Sequence, residues 1–94
     1  MFMEIIYDPA KNDRNIRERG LSFERAAEFD FKTAKIWQDL RNPYPESRFV
    51  AIGYLDDRLH VLIFSRAERS IRVISFRKAN AREGKKHGFA LTRN

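Results

Sequence analysis

Between residues 47 and 78 three segments rich in β-branched and aromatic residues follow one another: SRFVAIGYL (47–55), RLHVLIFS (58–65) and IRVISFRK (71–78). Only Asp56-Asp57 separates the first two, and only RAERS separates the second from the third. A two-residue gap leaves no length for a crossover, so the first pair must form an antiparallel hairpin. A short turn brings the third strand alongside and makes a meander. The 58–65 and 71–78 segments carry apolar residues on both faces, which places them centrally, with one face on helices.

The flanking sequence supplies those helices. Residues 2–7, FMEIIY, read as a first strand. Asp8 and Pro9 then open a helix as N-cap and first helical residue, and Gly20 closes it. Ser22 caps a second helix, FERAAEFD, with Phe23, Ala26, Ala27 and Phe29 as its apolar set. Residues 33–38, TAKIWQ, form a further strand, and DLRNPYPE is a loop marked by two prolines. Asn80 caps a terminal helix, with Glu83 as the reciprocal capping residue. Gly84 and Gly88 weaken that helix. The order is βααββββα. It predicts a small α+β domain over 1–94, an antiparallel sheet with its helices segregated to one side. The last six or so residues, 89–94, are expected to be disordered.

The chain has 94 residues, room for one domain with a modest core. It has no Cys, so disulfide and cysteine–metal frameworks are excluded. The opening MFMEIIYDPAK lacks the basic and apolar regions of a signal peptide, and no apolar run reaches bilayer-spanning length. A cytoplasmic protein is expected.

Charge placement narrows the function. Residues 1–65 carry 10 Lys/Arg and 11 Asp/Glu, whereas residues 66–94 carry 9 and 2. The whole net charge of +6 sits in the last third. Such asymmetry points to a polyanion surface, against the plainer reading of a basic solubilising tail. Strict alternation puts Val73, Ser75 and Arg77 on one face of the last strand and Arg72, Ile74, Phe76 and Lys78 on the other. Arg77 emerges at the strand end, where its planar fork suits a phosphate. Arg72 reads rather as a partner for a neighbouring carboxylate. Glu46 and Arg48 stand two apart where a loop enters a strand, either a proton-transfer and phosphate-holding pair or a surface ion pair. His87 is a candidate general acid or base, or an exposed side chain near the chain end. His60 alternates within a central strand and reads as packed. Two His residues, 60 and 87, and no HExxH make a transition-metal site unexpected. There is no Gly-rich phosphate loop, no GxSxG and no trustworthy helix-turn-helix. A nucleic-acid enzyme, a non-catalytic nucleic-acid-binding module and a protein-interaction domain all stay open on these residues.

Three stretches together decide more than any one alone: the opening DPAKN…N…RGLSFE, the Y-x-E-x-R segment and the ending IRVISFRKAN-x-RE. In them the chain resembles the BrnT toxins of bacterial type II toxin–antitoxin pairs, over nearly its full length. The resemblance implies a RelE-like fold and an endoribonuclease that needs no metal or other cofactor. It also implies a BrnA-like antitoxin, encoded alongside, that carries the operator-binding segment, and a dimer or heterotetramer with it. The Y-x-E-x-R positions fall on Tyr44, Glu46 and Arg48, and the basic strand end on Arg77 and Lys78. His87 stands where the family usually places Tyr. Arg19 stands in place of a frequent His, Pro45 in place of Gly, and Ala67 where some members have Arg, with Arg66 one step earlier. Implied roles are catalytic for Glu46, Arg48, Arg77 and His87. RNA backbone contacts fall to Arg66, Arg72, Lys78, Arg82, Lys85 and Lys86. No membrane partner is implied.

Overall fold

The structure, a computed structural model, describes residues 3–93. Position 2 of the expected first strand lies outside the described residues. Strand β1 spans Glu4–Tyr7 and helix α1 spans Pro9–Arg19. A 3₁₀ helix covers Phe23–Glu28, where an α-helix was expected. Strands β2 (Lys35–Gln38), β3 (Arg48–Leu55), β4 (Arg58–Ala67) and β5 (Ser70–Lys78) follow, and helix α2 (Ala81–His87) ends the fold.

The caps act as their residue types dictate. Asp8 accepts the Ala10 N–H at 2.9 Å, and Gly20 closes α1 at φ 65°, which glycine adopts without a side-chain clash. Asn80 and Glu83 form a complete capping box at α2. The Asp56-Asp57 turn has positive φ at both residues, as a two-residue hairpin turn requires.

One sheet of order β1-β5-β4-β3-β2 results, with the meander as its core. It is mixed rather than wholly antiparallel. The chain leaves β1, crosses one face through α1 and the 3₁₀ helix, and enters the far edge at β2. The meander then returns β5 to lie parallel beside β1. The single domain and the element order otherwise follow the expectation.

The helices do not all lie on one side. Phe23 and Ala26 of the 3₁₀ helix and Phe29, which caps it, pack with Ala51, Leu62, Phe64 and Phe76 on one face. The opposite face carries Val50, Ile52, Tyr54, Leu59 and Val61, packed with Ala79, Phe89 and Leu91 from the α2 region. A sheet apolar on both faces has to be covered on both. Only the residues after β5 remain to cover the second face. For the same reason residues 89–93 are not the loose tail expected of them. Phe89 and Leu91 are core contacts, Thr92 bridges to Arg58, and Arg93 pairs with Asp30 and Asp57.

A β-bulge corrects the alternation along β5. Phe64 faces Val73 while Ile63 faces Ser75, so Ile74 is an extra residue in the ladder. Val73 and Phe76 therefore share the 3₁₀ face, and Ser75 and Arg77 take the other, with Val61 and Ile63. The bulge resolves a conflict in the sequence, since Ile71, Val73 and Phe76 must all be buried in one core although the last two stand three positions apart, an odd spacing.

Candidate active-site cleft

Helix α2 covers only one end of its sheet face. The uncovered part, with the helix flank, forms a cleft of about 570 Å³ bordered by Trp37, Val50, Ile63, Arg77, Glu83 and His87. Strand register explains the lining. Lys35 pairs with Ile52 and Trp37 with Val50, so both side chains lie on this face at the edge of the sheet. Glu83 and His87 are four residues apart on α2 and project from one flank.

His87 stacks on Trp37, centroids 4.9 Å apart and planes 21° from parallel. Lys35 Nζ lies 3.3 Å from His87 Nδ1. Desolvation holds the imidazole below the ordinary histidine range, and the Lys35 and Lys86 ammoniums add to this against a smaller pull from Glu83. These surroundings favour the neutral ring.

Arg77 is engaged. Its two terminal nitrogens donate to Glu83 at 2.8 and 2.6 Å, a bidentate pair that ties β5 to α2. That pair is the main reason the Glu83 carboxyl is pushed down to about 2, with the Asn80 N–H adding to it. The expectation of a carboxylate partner thus fits Arg77 better than Arg72. Arg72 is exposed, and among the described residues it makes no ion pair. It shares the cleft face in a cross-strand row with Ser65 and Arg48.

Glu46 and Arg48 stand apart from the cleft. They border a neighbouring hollow of about 260 Å³ formed by the Pro43–Pro45 loop, which shares Gln38, Asp39 and Leu40 with the cleft. Arg48 donates to Glu46 at 3.2 Å and lies over the Tyr44 ring at 4.2 Å. The Tyr44 hydroxyl donates to buried Asp39, whose carboxylate is gripped by the Arg41 fork at 2.8 and 2.7 Å. Arg41 in turn holds the Asp39 carboxyl well below the usual carboxylate range. From strand geometry the Arg48 and Arg77 Cα atoms are about 17 Å apart, two strand spacings across and four residues along.

The remaining candidates divide between the faces. Arg82, Lys85 and Lys86 are exposed on α2, and Lys86 borders the cleft. Arg66 lies on the opposite face, at an apolar groove with Phe31, Phe49 and Phe64. Lys78 pairs across from His60 and borders a separate hollow with Arg19, Arg25 and Arg58. His60 is buried, as expected, its Nδ1 2.6 Å from the Arg58 carbonyl, and burial holds it below the ordinary range.

Sequence reasoning missed Trp37, which borders the cleft, and Lys35, which meets His87 beside it. The available signal was the chain's single Trp, set two residues from Lys35 in a short strand and so on the same face. Among the described residues no group of three His, Cys, Asp or Glu side chains is placed to hold a metal ion. No described helix is long and apolar enough to cross a membrane.

No curated protein matches the chain in sequence. Among solved structures, the crystal structure of the Brucella abortus ribonuclease toxin BrnT is similar to it. The two are 29% identical over 83% of this chain and 97% of that one, with a TM-score of 0.63. The family described as the ribonuclease toxin BrnT of type II toxin–antitoxin systems matches residues 7–83, from the end of β1 into α2. The chain belongs to this BrnT family of ribonuclease toxins.

Proposed function

We propose that the chain is a metal-independent endoribonuclease whose reaction takes place in the cleft between α2 and the open sheet face. In that reaction the RNA 2′-hydroxyl gives up its proton and attacks the adjacent phosphorus, and the 5′-oxygen leaves protonated. A protein serving it needs a base, an acid and cations held in place before the charge develops. The observation that carries the reading is His87, stacked on Trp37 in a cleft whose borders include Arg77 and Lys86. Glu46 is the candidate base at the adjoining hollow. Arg77, fixed by Glu83, faces the scissile phosphate, and Arg48 and Arg72 take neighbouring phosphates along the same face. Arg82, Lys85 and Lys86 track the strand beyond.

Family membership brings an antitoxin and an RNA substrate. We infer that the antitoxin is BrnA-like, that it supplies the operator-binding segment, and that toxin and antitoxin form a dimer or heterotetramer in the cytoplasm. A basic cleft suits an acidic segment of that partner as well as RNA, so inhibition and substrate binding compete.

The test is incubation of the purified, antitoxin-free protein with RNA in EDTA, beside His87→Gln and Lys78→Ala. Cleavage by the parent and by Lys78→Ala, with a loss of about 10²-fold in His87→Gln, supports the cleft. Equal cleavage by His87→Gln moves the site to the hollow around Lys78. Salt-sensitive RNA retention with no cleavage by any of them supports a non-catalytic binding module instead.

A further inference from the structure

The contact between Lys35 and His87 has a chemical consequence. A lysine ammonium carries only protons to donate. At 3.3 Å from Nδ1 it requires the lone pair there, which leaves the ring proton on Nε2. His87 then has no free lone pair with which to act as a base. Its Nε2–H remains as a donor. A neutral imidazole is by itself a poor proton source, and the surroundings of this one favour that form.

Resting on the reading of this cleft as the ribonuclease site, we propose that Lys35 and His87 act together as one general acid, with Lys35 supplying the proton through the imidazole. As the 2′-oxygen forms its bond to phosphorus, its own proton goes to the base, for which Glu46 is the candidate. As the P–O5′ bond breaks, its electron pair stays on O5′, which takes the Nε2 proton of His87. Nδ1 takes a proton from Lys35 Nζ in the same step. The imidazole ends neutral in the other tautomer, Lys35 ends as a free amine, and solvent restores both.

The geometry suits a relay. Trp37 stacks on the ring at 4.9 Å and fixes its plane, and Lys35 and Trp37, two residues apart on β2, share one face. The other charges around the ring are accounted for. On α2, Lys86 opposes an imidazolium and Glu83 favours one, but Glu83 is bound bidentately by Arg77 of β5. On the β2 side, Asp39 is held by Arg41. Lys35 is the one of these groups in contact with Nδ1. It acts through His87 and is a positioning and proton-supplying residue rather than one that touches RNA.

A histidine acting alone as the acid would lose activity as pH rises through its own range, near neutrality. The relay carries kcat beyond that range, because the proton originates on Lys35 and not on the imidazole. The experiment is the pH profile of kcat for the full chain on a short RNA, for wild type, Lys35→Met, Lys35→Arg and His87→Gln. Imidazole ¹⁵N shifts are recorded on the same proteins without RNA, with His87→Gln assigning the signal against His60. The expected result is an Nε2–H tautomer in the wild type. Lys35→Met should bring the alkaline loss of kcat down to near neutrality and raise the His87 titration, since the Lys35 charge is one of the groups that lower it. Lys35→Arg, which keeps a cation but gives up its proton far less readily, should restore the tautomer and not the rate. An Nδ1–H tautomer in the wild type, or an unmoved alkaline limb in Lys35→Met with His87→Gln inactive, overturns the relay alone. Full activity in His87→Gln overturns the site assignment and the relay with it.

Discussion

Asn12 shows how much a single polar side chain can hold in a chain this short. It is buried on α1, and its Oδ1 accepts the Phe23 N–H at 2.8 Å, which fixes the start of the 3₁₀ helix against α1. Asn15, one turn on, donates to the carbonyls of Leu21 and Phe76, both at 2.9 Å, and so ties α1 to the far end of β5. Asn12→Ala leaves a buried N–H without a partner and should cost about 1–3 kcal/mol in urea unfolding. Asn12→Asp, which keeps the acceptor, should cost less. Gly53 is a second such position. A Cβ there would stand 2.8 Å from Ala34 Cβ and 2.9 Å from Phe29 Cζ, inside the core. Gly53→Ala should destabilise by about 1–3 kcal/mol through overpacking, read as a lower Tm. Neither role was legible from the sequence. Local signals such as Asp8-Pro9, Gly20 and the Asn80–Glu83 box are read within four residues, whereas Asn15 acts across 61 positions.

At the scale of elements, the meander and the caps were legible and the face assignments were not. Period-two counting fails wherever a bulge adds a residue, and Ile74 adds one in the strand that carries Arg77. The placement of α2 failed for a related reason. Its seven residues have almost no apolar stripe of their own, so nothing local names the face it covers. It is held instead by Gly84, whose bareness lets Leu59 and Leu91 approach, and by the Arg77–Glu83 pair. That pair makes an element-level prediction. Glu83 is depressed in the fold to about 2, so its contribution is present above the unfolded carboxyl range near 4.5 and is lost as pH falls through about 2. Both partners are partly exposed, which limits the effect to about 1–2 kcal/mol. Denaturant unfolding between pH 5 and 2 should show that loss in the wild type. Glu83→Gln should be less stable at neutral pH and should flatten that window. A window of the same depth in Glu83→Gln would show that the ion pair does not anchor α2.

At the scale of the whole molecule, the sheet sorts a charge that the sequence merely concentrates. The net +7 of residues 66–94 reads as one basic patch along the chain, yet strand pleat and the bulge send it to two faces. Arg72 and the α2 residues Lys85 and Lys86 stay on the cleft side, while Arg66 and Lys78 fall on the other. Counterion release makes this division measurable. For single-stranded RNA, removing one cation that neutralises a phosphate should reduce the slope of log K against log salt by about 0.7. If the cleft is the RNA surface, Arg72→Ala and Lys86→Ala each lower affinity and flatten that slope by about this amount. Arg66→Ala and Lys78→Ala, removing the same charge from the other face, leave the slope unchanged and shift affinity only through the weak screened field at a distance. Equal slope changes from all four would mean that RNA wraps both faces, or meets only diffuse charge. In that case the concentration of bases in the last third would serve attraction rather than the placing of a phosphate. The four variants therefore separate a field from a site, and net charge alone cannot.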